Sequence, residues 1–131
     1  MPKCRLQPMP DPQHGYLPRI DEAAIPEEKL RGYTLNANHP VGGHKARVMR
    51  GALGLTQDDW EYLRDQIREG VRTTPVETRV ELSNLVVTYR VVIEILGLNG
   101  QRAPVITAWL QEPNLPPRLV TAYVAGRRRT T

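Results

Sequence analysis

A chain of 131 residues, 40% of them hydrophobic, is large enough to bury one core and too small to divide into two independent ones, so one domain is expected within it. One cysteine, Cys4, excludes a disulfide framework and a cysteine-based metal site, and no stretch approaches the about 18 continuous apolar residues of a membrane span. The net charge of +4 suggests a polyanionic partner, yet Arg127, Arg128 and Arg129 supply three of those charges, so local charge is the better guide.

In chain order, residues 1–24 are proline-rich and aperiodic and read as an extended leader without an apolar signal core, His14 included. The expectation is a cytoplasmic protein with one domain over residues 25–126 and a basic tail over 127–131. Pro26 with Glu27 and Glu28 marks a helix start with the expected dipole complement, and Leu30 and Tyr33 face inward. Asn36 to Gly43 is a loop. A second helix runs from about Gly43 to Gly54, the residue suited to a left-handed stop. On it Ala46, Val48, Met49, Ala52 and Leu53 span an arc of about 160° with Lys45 near its middle. Arg47 and Arg50 project elsewhere.

A third helix starts at Thr56, with Asp59 completing a capping box, buries Trp60, Leu63 and Ile67, and is expected to end at Gly70. Residues 71–84 read either as a loop or as a short strand, Val76 to Leu82. Leu85, Val87, Tyr89, Val91, Ile93 and Ile95 then alternate as one apolar strand face. Asn99-Gly100 is a hairpin signal. If it forms a two-residue turn, Ile93 pairs with Ile106 and Val91 with Ala108, and Arg90, Val92 and Glu94 share a face with Trp109, Thr107 and Val105. A proline-rich loop leads to a last strand, Arg118 to Val124, whose register decides whether Tyr123 shares a face with Thr107. Helices first and strands last predict an α+β fold, with three N-terminal helices on a three- to four-stranded antiparallel sheet.

Between Glu28 and Asp58 no acidic residue occurs, whereas Lys29, Arg31, Lys45, Arg47 and Arg50 do, with His39 and His44; that composition faces an anion. A lysine amid an apolar helix face costs free energy unless its ammonium meets an anion or snorkels into water. His39 and His44 flank a Gly-Gly pair at a helix start, where free N–H groups favour phosphate and imidazoles serve as acid or base. The plain alternative is one histidine capping the loop and the other solvated. Two histidines five residues apart with no nearby carboxylate make no recognisable metal set, and no cofactor motif is present. Thr107 and Trp109, with Arg90 opposite, suit a platform that stacks a base and holds a phosphate, unless helices cover them. Arg118 reads either as a phosphate ligand or as an edge-strand charge.

Lys29-Leu30, Tyr33, Leu35-Asn36, then His39-Pro40, Gly42, His44-Lys45-Ala46 and Leu53-Gly54-Leu55-Thr56 resemble a family of small bacterial domains of uncharacterised function. The likeness continues through Thr107-Ala108-Trp109 and Pro117 to Tyr123 and covers about residues 26–125. The family usually has phenylalanine at Met49 and a basic residue at Gly43. Such domains look like the metal-independent endoribonuclease toxins related to barnase, colicin D, colicin E5 and the RelE type. The resemblance implies RNA as substrate and a small acidic antitoxin-like or immunity partner. On that footing His39 or His44 takes the ribose 2′-hydroxyl proton, Lys45 and Arg118 stabilise the phosphate, and Thr107 and Tyr123 hydrogen-bond it or protonate the leaving oxygen. Arg90, Trp109, Arg47 and Arg50 bind substrate. The alternative is a module that binds RNA, a phosphorylated ligand or an acidic protein without chemistry.

Overall fold

The computed structural model describes residues 15–125. Three helical segments precede a four-stranded antiparallel sheet. Helix α1, Glu27–Lys29, runs into a π turn over Leu30–Thr34; α2 is Gly43–Leu53 and α3 is Trp60–Thr73. Strands β1, Thr78–Glu81, β2, Val87–Leu96, β3, Arg102–Gln111, and β4, Arg118–Val124, pair in chain order. The α+β architecture is thus the one that element order predicts, with all four strands formed.

Local signals explain most boundaries. Pro26 precedes α1 with extended backbone, one position earlier than a first helical residue. Gly54 takes φ +71° and donates its N–H to Arg50 O, ending α2 where a left-handed residue is needed. Asp59 Oδ2 accepts from Thr56 N at 2.8 Å, so the capping box forms, although a 3₁₀ turn over Gln57–Asp59 separates it from α3. Gly70 does not end α3, which continues to Thr73; a Cβ there would lie 3.0 Å from Ile93 Cδ1. Its lack of a side chain lets α3 approach β2, which outweighs the cost of a mid-helix glycine. Leu85 does not begin β2. It sits with Asn84 in the β1–β2 turn, both at positive φ, and is exposed.

The β2–β3 register departs from a two-residue turn by one position. Val91 faces Thr107, Ile93 faces Val105 and Tyr89 faces Trp109, because Gly97 N donates to Gln101 O and the loop holds three residues, Leu98-Asn99-Gly100, with Gly100 at φ +84°. Contacts with α2 select the longer loop. Leu98 N donates to Leu53 O at 2.9 Å and Asn99 Nδ2 to Ala52 O at 3.2 Å, and a Cβ on Gly97 would lie 2.6 Å from Leu53 Cα. A one-residue slip moves every β3 side chain to the other face. Val105, Thr107 and Trp109 therefore enter the core beside Val87, Tyr89, Val91, Ile93 and Ile95.

On β4, an extra residue at Val120 shifts the pairing, so that Leu119 faces Trp109 and Ala122 faces Thr107. That bulge lets both Leu119 and Ala122 reach the core. Helix α3 packs on β2, and α2 on β3 and β4.

Residues 15–24 are part of this packing, and the expected start of the fold at 25 is too late. Leu17 and Ala23 are buried in the same core as Leu30, Met49 and Leu63. Arg68 of α3 donates to the carbonyls of Ile20 and Ala23 at 2.8 and 3.2 Å. Ala24 pairs in parallel with Arg118, covering the start of the β4 edge. Cys4, His14 and the tail over 127–131 lie outside the described residues.

A candidate anion cleft between the second helix and the last strand

The loop before α2 is organised by its own side chains. His39 Nδ1 accepts from the N–H of both Val41 and Gly42 at 3.0 Å, and its ring meets Tyr33 edge-on at 4.8 Å. A Cβ on Gly42 would lie 2.8 Å from the Tyr33 ring, and one on Gly43 would lie 2.6 Å from Ala37 O. The Gly-Gly pair thus closes the loop on itself. Arg47 Nη1 donates to Ala37 O at 2.8 Å and clamps the same turn.

These contacts divide the two histidines. With Nδ1 occupied as an acceptor, neutral His39 carries its proton on Nε2, where it can donate but not take a proton. His39 therefore caps the loop. His44 follows the two glycines, is exposed, and lines a cleft of about 500 Å³ with Lys45, Val48, Ala52, Tyr123, Val124 and Ala125.

Lys45 is exposed and lies to one side of the buried face of α2, which Gly43, Ala46, Met49 and Leu53 form, so it does not sit in the middle of the core-facing arc as its spacing suggested. Its Nζ stands 4.2 Å from the centroid of the Tyr123 ring, a cation–π contact across the α2–β4 junction. Among the described residues no carboxylate pairs with it. Gly43 N–H is taken by His39 O. Of the first turn of α2, the N–H groups of His44 and Lys45 are left without a carbonyl partner among the described residues, so the helix end adds positive potential to the cleft.

Other expected site residues lie elsewhere. Thr107 is fully buried; its Oγ1 donates to Val91 O at 2.7 Å and accepts from Trp109 Nε1 at 2.9 Å. Trp109 is core, so neither residue forms a platform with Arg90, which faces Ala108 on the opposite side of the sheet. Tyr123 faces Ile106 and so does not share a face with Thr107. Arg118, at the other end of β4, is about 16 Å along the strand from Tyr123 and pairs with Glu112 at 3.2 Å. Arg47 clamps the loop and Arg50 is exposed. Sequence reasoning missed the apolar floor, Val48 and Ala52 with Val124 and Ala125, whose sign was Val48 on the apolar arc of α2. Among the described residues no three His, Cys, Asp or Glu side chains gather to hold a metal ion, and no helix is long and apolar enough to cross a membrane.

A family model described as a domain of unknown function, DUF6883, matches residues 16–126. The chain belongs to this family. Its span begins at 16, in agreement with the burial of Leu17 and Ala23. No curated protein matches the chain. Among solved structures, a chain of a contact-dependent growth inhibition toxin–immunity protein complex from Klebsiella pneumoniae 342 is similar, with a TM-score of 0.65 at 10% identity over 82% of this chain and 97% of that one. At that identity the likeness is one of fold.

Proposed function

We propose that this chain is a toxin-like domain that cleaves RNA, related in fold and chemistry to the barnase, colicin and RelE endoribonucleases, with His44, Lys45 and Tyr123 as its working residues. The observation that carries the reading is the Lys45 ammonium held against the Tyr123 ring at the mouth of the cleft that His44 also lines. His44 removes the ribose 2′-hydroxyl proton; the 2′-oxygen attacks phosphorus, and the P–O5′ bond breaks to leave a 2′,3′-cyclic phosphate and a 5′-hydroxyl. Lys45 and the free N–H groups of α2 stabilise the charge developing on the phosphate, and the Tyr123 hydroxyl gives the departing O5′ its proton, which the proton held by His44 replaces through solvent. An acidic immunity-like protein would neutralise the same cleft, which suits the kind of complex in which the similar fold occurs.

The test incubates purified protein with tRNA or total RNA in excess EDTA. Wild type is expected to cleave, with His44→Ala and Lys45→Ala each reducing the rate by roughly 10²-fold or more. RNA retained by the protein but left intact would overturn the enzyme in favour of a binding module. Cleavage unchanged in both variants would move the site elsewhere.

A further inference from the structure

The sheet has two edges, and they are treated differently. The start of β4 is covered by Ala24, and α2 packs against the same strand. Among the described residues nothing covers the β1 edge: all four of its residues are exposed, and Val80 and Leu82 show 45% and 49% of their surface. An open edge strand with apolar side chains is a template for another strand.

Its backbone parity fixes what can pair with it. Leu82 N donates to Val86 O, and Val80 O accepts from Thr88 Oγ1, so Leu82, Val80 and Thr78 turn their backbone groups toward β2. By alternation Arg79 and Glu81 turn theirs outward. An antiparallel copy of the same strand then has three registers centred on this segment. Arg79 faces Arg79, or Glu81 faces Glu81, or Arg79 faces Glu81. The first two set like charges directly opposite, which destabilises; the third sets two opposite-charge pairs across the seam.

We propose that β1 pairs antiparallel with β1 of a second copy of this chain, Arg79 opposite the partner's Glu81, to make a two-fold symmetric eight-stranded sheet. The two Arg79–Glu81 pairs exchange four backbone hydrogen bonds. Val80 meets the partner's Val80 on the axis in a close, non-hydrogen-bonded pair, and Leu82 lies opposite the partner's Thr78. Within one chain Arg79 already bridges Glu81 at 3.1 Å, so the seam gathers four alternating charges. The cleft lies at the β4 edge, three strand spacings or about 14 Å across the sheet, and stays open in the pair. The dimer and the RNA-cleavage reading therefore stand or fall separately.

Sedimentation of the full chain from micromolar to near-millimolar concentration tests this. Wild type is expected to dimerise. Arg79→Glu and Glu81→Arg, each placing like charges across both pairs, weaken the dimer by about tenfold or more, and the doubly reversed chain recovers it. In a Cys4→Ser background, Val80→Cys forms a disulfide-linked dimer on oxidation and Val120→Cys does not. A monomer at every concentration overturns the proposal. So does a dimer indifferent to the single reversals, or a folded double variant that stays monomeric.

Discussion

Thr107→Val removes a hydroxyl from the centre of the core while keeping the shape of the side chain. Thr107 Oγ1 is at once the donor to Val91 O and the acceptor for Trp109 Nε1–H, and both partners are buried. Leaving the indole N–H unpaired costs about 1–3 kcal/mol, and the lost bond to Val91 O costs about 1 kcal/mol. The new methyl returns about 0.8 kcal/mol of burial. The net loss is about 2 kcal/mol. With a urea m-value of about 1.5 kcal/mol/M, the unfolding midpoint followed by circular dichroism falls by about 1.3 M. In a Trp109→Phe background no N–H is orphaned, so Thr107→Val becomes nearly neutral and the double-mutant cycle shows a coupling of about 2 kcal/mol. A penalty under about 0.5 kcal/mol in wild type, or an equal penalty in both backgrounds, would refute the assignment of Thr107 as a core hydrogen-bond relay. RNA cleavage lost without loss of stability would return Thr107 to the site.

His39→Ala frees two loop N–H groups and lowers stability by roughly 1–2 kcal/mol; its cleavage rate per folded molecule stays within a few fold of wild type, and a loss equal to that of His44→Ala would make His39 the base. Leu85→Gly relieves a bulky residue held at φ +64° with 78% of its surface exposed, and a gain of about 1 kcal/mol is expected in the same urea titration; no gain would mean that Leu85 packs on something. The Arg19 guanidinium, first through its hydrogen bond and then through its charge, holds the Glu22 carboxyl below its ordinary 4.5. The stability it lends is complete above that value and lost as pH falls through the lower folded one. Because both groups are exposed, Glu22→Gln is expected to flatten the acid limb only slightly and less at high salt, and a large change would place the pair in a wider network.

Under the two proposals the ends of the sheet carry different tasks. At the β4 end Lys45 meets the Tyr123 ring and, among the described residues, no carboxylate, and the proposed phosphate contact rests on that arrangement. At β1 cations and anions alternate, which suits a strand of the same sequence.

Periodicity and turn chemistry determined most of the fold. The alternation of β2, the stop at Gly54, the capping box at Thr56 and Asp59 and the bounds of β4 are set by neighbours within a few residues, and those are local physics. The His39 to Lys45 segment likewise stood out from charge alone. Tertiary contact decided the rest. Helix α2 closing on Gly97 and Asn99 selected a three-residue loop, and that single step turned Thr107 and Trp109 from an expected binding face into the core. The Val120 bulge set Tyr123 apart from Thr107, and only the packing of α2 beside β4 brought Lys45 to its ring. The two histidines look alike in sequence; His39 is spent on two backbone N–H groups because Gly42 lets Tyr33 close the loop over it, and that leaves His44 to face the cleft.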